Sequence, residues 1–274
     1  MLTRMTDDDW TFVLEVFRAV LPRRGGKARD DRRFLTALHY FTVHSIIWRA
    51  LPAEFGHWNS VWKRFSRLSQ SGVFEAFFLA LAECSRTANL IQMFDSTSIR
   101  GHVSAAGAKG GQENQALGRS RGGFGTKIHV KCDYDGLPLD FHLTGNEASD
   151  TKQFETLIEI GPEVMPRGII ADKGYDAKAN RDMARKRGIV PVIPYRKNAK
   201  VANKKMPKRL YARRARVEQL IGKMKRFKRI ALRCEKTKRN FASFVALACG
   251  FIWIKSVHTA YGKPSRQSNN SRSA

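Results

Sequence analysis

A chain of 274 residues with 42% hydrophobic side chains can bury about three quarters of its unfolded surface, which excludes a disordered polymer and fits one large domain plus a small one. Fifty Lys and Arg against 24 Asp and Glu leave a formal charge of +26, and an excess of that size points to a polyanionic partner rather than to a small-molecule substrate. A membrane is excluded as that partner on the reading that the longest apolar run, FVALACGFIWI, falls short of the roughly 18 residues a spanning helix needs.

In chain order, MLTRMTDDDW is polar and acidic where a secretory leader is apolar, so a cytoplasmic protein is expected. Helices are predicted from Asp8 to Val20, from Asp31 to Leu51, and over HWNSVWKRFSRLSQ and VFEAFFLALAEC. Pro22, Gly25, Gly26, the PAEFG turn and Gly72 supply the breaks. These elements set residues 1–86 apart as a small all-helical domain. The second and third helices, joined by Pro52 to Gly56, read as a helix-turn-helix with Trp58, Trp62 and Phe65 toward the core. That places Asn59, Lys63, Arg64 and Arg67 toward DNA. A plain helical hairpin with a solvated basic face fits the same residues.

From Asn89 the pattern changes. LIQMF is a short apolar run ending in Asp95, and GRSRGGFGTK follows after a Gly, Ala and Ser-rich stretch. The latter is glycine-rich but lacks the GK[ST] ending of a nucleotide-binding loop, so no nucleotide is assigned. Its Arg119 and Arg121 read either as DNA contacts on a mobile loop near the active edge or as part of a flexible connection. TKIHVKCDYDGLPLDFHLTG is predicted to be a β-hairpin, with Ile128, Val130 and Cys132 alternating on one face and Asp135-Gly136 in the turn. Asp133 and Asp135 begin a calcium-loop pattern that is not continued. Asp150, with Gln153 three residues on, reads as a helix cap. TKQFETLIEI (helix), GIIAD (strand ending in Asp172), AKANRDMARKRG (helix) and IVPVIPY (strand) then complete an α/β order over residues 87–258. Residues 259–274 have too little apolar surface to fold and are expected to form a disordered tail. The four cysteines show no CxxC pair and read as reduced core thiols, and no histidine spacing suits zinc.

Nineteen Lys or Arg but only two acids lie between Arg196 and Arg239, and one of the acids, Glu218, sits inside YARRARVEQLIGKMK. In one regular helix, Tyr211, Arg214, Glu218 and Lys225 fall within roughly a 60° arc. Val217, Leu220, Met224 and Phe227 gather opposite them. Glu218 therefore reads as a group held toward a ligand or, equally, as the partner of Arg214 or Lys225 on a solvated helix. Asp95 and Asp172 each close a short apolar run, which in an open α/β sheet is where ligand-binding groups collect. Adjacent parallel strands would bring the two together, and hard oxygen donors without His or Cys select Mg²⁺ or Mn²⁺. Each Asp alone reads as well as a turn or cap residue.

MFDSTSIRGH, GRSRGGFGTKIHVKCDYDGLPL, GIIADKGYD and YARRARVEQLIGKMKRFKRI together resemble bacterial insertion-sequence transposases of the DDE type, over nearly the whole chain. The spacing Tyr-x2-Arg-x3-Glu-x6-Lys of Tyr211, Arg214, Glu218 and Lys225 resembles the signature of one large group among them. The resemblance implies a ribonuclease-H-like α/β core with Asp95, Asp172 and Glu218 as catalytic acids and ligands of two Mg²⁺ or Mn²⁺ ions. It also implies a helical domain that binds terminal inverted repeats. Two metals roughly 3.5 to 4 Å apart suit in-line phosphoryl transfer in both cleavage and strand joining. Arg214, Lys225, Tyr211 and Lys173 are then expected on the DNA, in a homodimer that holds both element ends in the bacterial nucleoid. An inactive DNA-binding derivative and a structure-specific nuclease on the same core are the alternatives.

Overall fold

Thr6 and Asp9 start the first helix. In the computed structural model, which describes residues 3–22, 30–196 and 206–261, the Thr6 hydroxyl accepts from the Asp9 amide while the Asp9 carboxylate accepts from the Thr6 amide at 2.7 Å, a reciprocal cap on α1 (Asp7–Ala19). Asp30 caps α2 (Asp31–His44) by accepting from Arg33 N, and Ser45 ends that helix in the left-handed conformation at φ 56°. The helix expected to reach Leu51 therefore stops at His44. The link to α3 (Trp58–Gln70) spans residues 45–57 with two 3₁₀ turns, longer than the short turn of a helix-turn-helix. Gly72, at φ 68°, turns the chain into α4 (Val73–Ala82).

These helices do not close a core of their own. Helix α11 (Lys238–Tyr261) runs against α4, and Phe244 stacks on Phe65 at 4.7 Å and on Phe41 at 5.4 Å between ring centres. A Cβ at Gly250 would lie 2.6 Å from the Phe77 ring, so glycine is what lets α11 and α4 approach so closely. The α11 stretch Lys238–Val257, mean hydropathy 1.5, is long and apolar enough to cross a membrane, against the expectation that no segment is. It is 72% buried inside this fold, as the core helix that residues 1–86 share with the remainder of the chain.

The other layer is a mixed sheet built from β1 (Ile91–Gly101), β2 (Gly118–Ser120), β3 (Gly123–Cys132), β4 (Pro138–Gly145), β5 (Gly168–Ala171), β6 (Val190–Val192) and β7 (Leu232–Arg233). Its main order is β4-β3-β1-β5-β6, with β2 added to β3 and β7 to the end of β1. Pairs β1/β3 and β3/β4 are antiparallel, whereas β1/β5 and β5/β6 are parallel. The expected hairpin is present, its turn held by Asp133 Oδ1 accepting from the Asp135 and Leu137 amides, with Gly136 at φ 82°. Short helix α5 (Gly111–Asn114) precedes β2, while α6 (Phe154–Glu159) and α7 (Lys178–Lys186) follow β4 and β5. Phe94, Phe154, Leu157, Ile169, Tyr175 and Ala184 form a second core beneath α6 and α7, so the sheet is covered on both faces.

Several expectations shift. β1 does not end at Asp95 but runs on to Gly101, because the polar DSTSIRG pairs with β3 and satisfies its backbone there. IVPVIPY gives only three residues of edge strand, where the prolines deny further ladder bonds. GRSRGGFGTK is the β2/β3 hairpin rather than a loop. YARRARVEQLIGKMK is not one regular helix: α8 (Lys208–Tyr211) passes through a 3₁₀ turn at Ala212–Arg214 into α9 (Ala215–Lys225), and α10 (Lys228–Ala231) follows. Trp62 is exposed rather than packed, Cys84 is exposed, and Cys234 is only partly covered. Of the expected tail, residues 259–261 belong to α11, and 262–274 lie outside the described residues.

Candidate active site

The parallel register of β1 on β5 sets the site. Ile91 to Phe94 pair with Gly168 to Ala171, so Asp95 and Asp172 are the next residues along neighbouring strands. Side chains alternate along a strand, and Asp95 lies across from Val130, on the sheet face that α9 covers. Val217, Leu220 and Met224 anchor α9 in the core beside Phe227, which leaves Arg214 and Glu218 on its free side.

Asp95 is 9% exposed. Burial raises its pKa and the nearby Asp172 and Glu218 carboxylates add to that, against the Arg214 charge and the Ser96 amide, which donates to Oδ1 at 2.8 Å. Asp172 Oδ1 accepts from Gly174 N at 2.7 Å, so this Asp does cap the 3₁₀ turn Lys173–Tyr175 as its plainer reading expects. Arg214 bridges the other two acids: Nη2 is 2.9 Å from Asp95 Oδ2, and Nη1 binds Glu218 Oε1 one turn on. The Tyr211 phenol feels Arg214, Asp172, Glu218 and Asp95 together, and its pKa is raised chiefly by burial.

The expected three-acid cup is therefore spanned by a guanidinium. Among the described residues no three His, Cys, Asp or Glu converge closely enough to hold one ion. The donor chemistry of Asp95 and Asp172 still fits a hard divalent cation, since both offer only carboxylate oxygens and the buried one is destabilised by its like-charged neighbours. Glu218 is half exposed and is tied to Asp95 through Arg214.

Residues 87–253 match the family model of the transposase DDE domain, more than half of the chain. The chain belongs to the DDE transposase family. Residues 5–78 match in addition the model of transposases of the IS4/5 family. The protein named as transposase for insertion sequence element IS6501 of Brucella ovis is 36% identical over 134 residues, 47% of this chain and 98% of that one. A protein with the corresponding name for element IS402 of Burkholderia cepacia is 31% identical over 137 residues, 47% of this chain and 62% of that relative's length. Among solved structures, the piggyBac transposase synaptic complex with hairpin DNA aligns over 97% of this chain and 70% of its own at 10% identity, with a TM-score of 0.45, too loose to support further comparison. The protein is thus a DNA-cleaving and strand-transferring enzyme of a family in which metal dependence is typical.

In this transposase the expected DNA contacts fall in three places. Lys173 is exposed next to Asp172 in sequence, and Lys225 is exposed at the end of α9, seven residues beyond Glu218. Lys63 and Arg67 are exposed on α3, which packs on α4 and α11. Arg64, expected to face outward with them, is turned inward: it pairs with Asp31 and lies 4.1 Å over the Phe34 ring. Arg119 and Arg121 are exposed on β2 and its turn, but β2 meets β3 at Gly125, opposite Arg100. That is five residues along β1 from Asp95, about 17 Å at strand rise, so they are not at the edge of the acid pair.

Sequence reading missed the layer behind the acids. Asp150 is not a cap, since its turn starts from Ser149 without a side-chain bond. Its Oδ1 accepts instead from Ser96 Oγ at 2.8 Å and Lys127 Nζ at 3.3 Å, with His129 Nδ1 at 3.6 Å. The available signal was the second face of β3: Lys127, His129 and Lys131 alternate with Ile128, Val130 and Cys132, and polar residues buried on one face of a central strand have to find partners.

Proposed function

We propose that this transposase binds the terminal inverted repeats of an insertion sequence, cuts at the element ends and joins the freed 3′-hydroxyl to target DNA. The observation that carries the reading is the placement of Asp95 and Asp172 side by side at the end of the β1/β5 ladder, with Arg214 linking Asp95 to Glu218. The sheet order β4-β3-β1-β5-β6, three antiparallel strands followed by two parallel ones, supports a ribonuclease-H-like core. Asp95, Asp172 and Glu218 are the ligands in this reading, for two Mg²⁺ or Mn²⁺ ions that supply an activated attacking oxygen and a stabilised leaving oxygen when bound. Glu218 joins that set when Arg214 leaves it for a DNA phosphate, which a guanidinium binds through two parallel hydrogen bonds. Lys173 and Lys225 hold flanking phosphates, Tyr211 stacks on or hydrogen-bonds a distorted base, and the helices of residues 1–86 bring Lys63 and Arg67 to the repeat. A homodimer grips both ends, because one element has two ends to cut.

The test uses DNA bordering the coding sequence as substrate, with Mg²⁺ and the full chain. D95N, D172N and E218Q each lose nicked and joined products by about a hundredfold or more while retaining end binding in a mobility shift. Full cleavage by any one of the three rejects the assignment of that acid. Products that are cut but never joined favour a nuclease.

A further inference from the structure

Asp95 and Asp172 face α9, so the residues that alternate with them point to the opposite side of the sheet. There Ser96, beside Asp95, donates to Asp150 Oδ1 at 2.8 Å. Lys127 Nζ donates to the same carboxylate and to Ala148 O, which ties the Asp150 loop to β3. The other oxygen looks toward the Asp172 turn: a Cβ built on Gly174 would lie 3.3 Å from Asp150 Oδ2 and 2.7 Å from Asp172 Oδ1. Gly174 is thus wedged between the two carboxylates. Its N–H holds Asp172, and its carbonyl accepts from the hydroxyl of Thr151, the residue after Asp150. Asn180 Nδ2 in turn donates to Thr151 O and to Tyr175 O, locking the turn onto α7. The Tyr175 hydroxyl is buried in this space without a hydrogen-bond partner among the described residues.

We propose that Asp150 is a positioning residue, which with Thr151 braces the strand carrying Asp95 and the turn carrying Asp172 and so fixes the distance between the two acids. It touches neither of them through a bond of its own. It acts on Asp95 through Ser96, and on Asp172 by holding in place its neighbour Thr151, whose hydroxyl donates to the carbonyl of Gly174, from the side of the sheet opposite the acids. Like charges set side by side drift apart unless something rigid behind them resists, and this side-chain network spans both segments in addition to the β1/β5 ladder. Lys127 supplies the counter-charge that lets a third carboxylate lie so near.

The inference rests on the proposed role of Asp95 and Asp172, and the experiment separates the two. Mn²⁺ binding to the full chain without DNA is followed by electron paramagnetic resonance for the parent, D95N, S96A, D150N and the double variant S96A/D150N, with thermal unfolding alongside. D95N is expected to lose Mn²⁺ binding. D150N is expected to weaken it about tenfold and S96A about fivefold, with the double variant no weaker than D150N, since both lie on one path. End binding in the mobility shift stays at the parent level. A D95N chain that binds Mn²⁺ like the parent removes the site reading and this inference with it. A D150N chain with parent Mn²⁺ affinity, or strictly multiplicative effects in the double variant, overturns the brace while leaving Asp95 in place. Should D150N not fold, S96A decides alone: parent affinity in that variant overturns the proposal.

Discussion

Arg214 Nη2 lies 2.9 Å from Asp95 Oδ2, and this contact joins the last helical segment of the chain to the first strand of the sheet. The same guanidinium holds Glu218, so it serves as the internal counter-ion of two acids. Replacing it by Gln leaves Asp95 buried beside Asp172 without that charge. R214Q is expected to lose about 1–3 kcal/mol of unfolding free energy in chelator-containing buffer, with the difference shrinking as Mn²⁺ is added. Urea unfolding across a Mn²⁺ titration checks it; a deficit independent of Mn²⁺ would mean the two cations do not share a place. Lysine cannot bridge both acids in one plane, so R214K should restore little.

Gly174 has no room for a side chain on the Asp172 side, where an added Cβ falls 2.7 Å from Oδ1. G174A should therefore turn the Asp172 carboxylate away. Cleavage is expected to fall about a hundredfold, as for an ångström-scale misplacement of a reacting group. The turn is near the surface, so unfolding free energy should move by less than about 1 kcal/mol. Parallel cleavage assays and denaturant curves would expose a plain folding defect if both dropped together.

Lys225 is exposed two turns from Glu218 and carries no ion pair among the described residues. K225A should weaken binding to every DNA sequence alike and reduce the slope of log affinity against log salt by about 0.9. Fluorescence anisotropy at several salt concentrations measures that slope, and an effect confined to the repeat sequence would contradict a phosphate contact.

His39 is packed edge-on against Trp10, Phe227 and Phe251, and burial, helped by His44 and Lys255, lowers its pKa to about 4. Its pKa is depressed relative to the unfolded chain, so the unfolded state takes up a proton below pH 6.5 that the native state refuses until about 4. The contribution of the neutral ring is whole above pH 6.5 and is lost as pH falls toward 4, about 2 kcal/mol of it between pH 6.5 and 5. H39M should flatten that part of the stability profile in urea titrations at pH 7 and 5. An unchanged profile would place the ring in contact with water.

Glu235 and Arg229 pair inside the core, with side chains 4% and 8% exposed and the guanidinium 4.4 Å over the Phe41 ring. E235A strands that charge and is expected to cost about 3–5 kcal/mol, whereas the double change R229M/E235L should recover most of it. Differential scanning calorimetry of the three chains decides; equal losses in the single and double variants would assign the cost to packing alone.

The elements whose residues carry their own local instruction were legible along the chain: the Asp-Gly hairpin of β3 and β4, the apolar GIIA of β5, and the amphipathic runs of α1 and α2, though not the caps that start them. Asp95, Asp172 and Glu218 were legible as candidates because carboxylates stood out at strand ends and in a basic helix. The meeting of Asp95 and Asp172 was expected on the condition that the two strands are parallel neighbours; that pairing and its register could not be read locally, since β1 pairs with a strand 77 residues away. Nor could the run of β1 past Asp95, whose polar residues are strand only because β3 lies alongside. Tertiary packing alone decided that α11, apolar enough for a membrane, is the shared core of the helical layer. It also decided that Asp150, legible as a cap, reaches Ser96 across the back of the sheet. Local sequence fixes what a residue can do chemically and which backbone it favours. Which groups meet is set by long-range pairing, and there the cost of burying an unpartnered polar group chooses the partners.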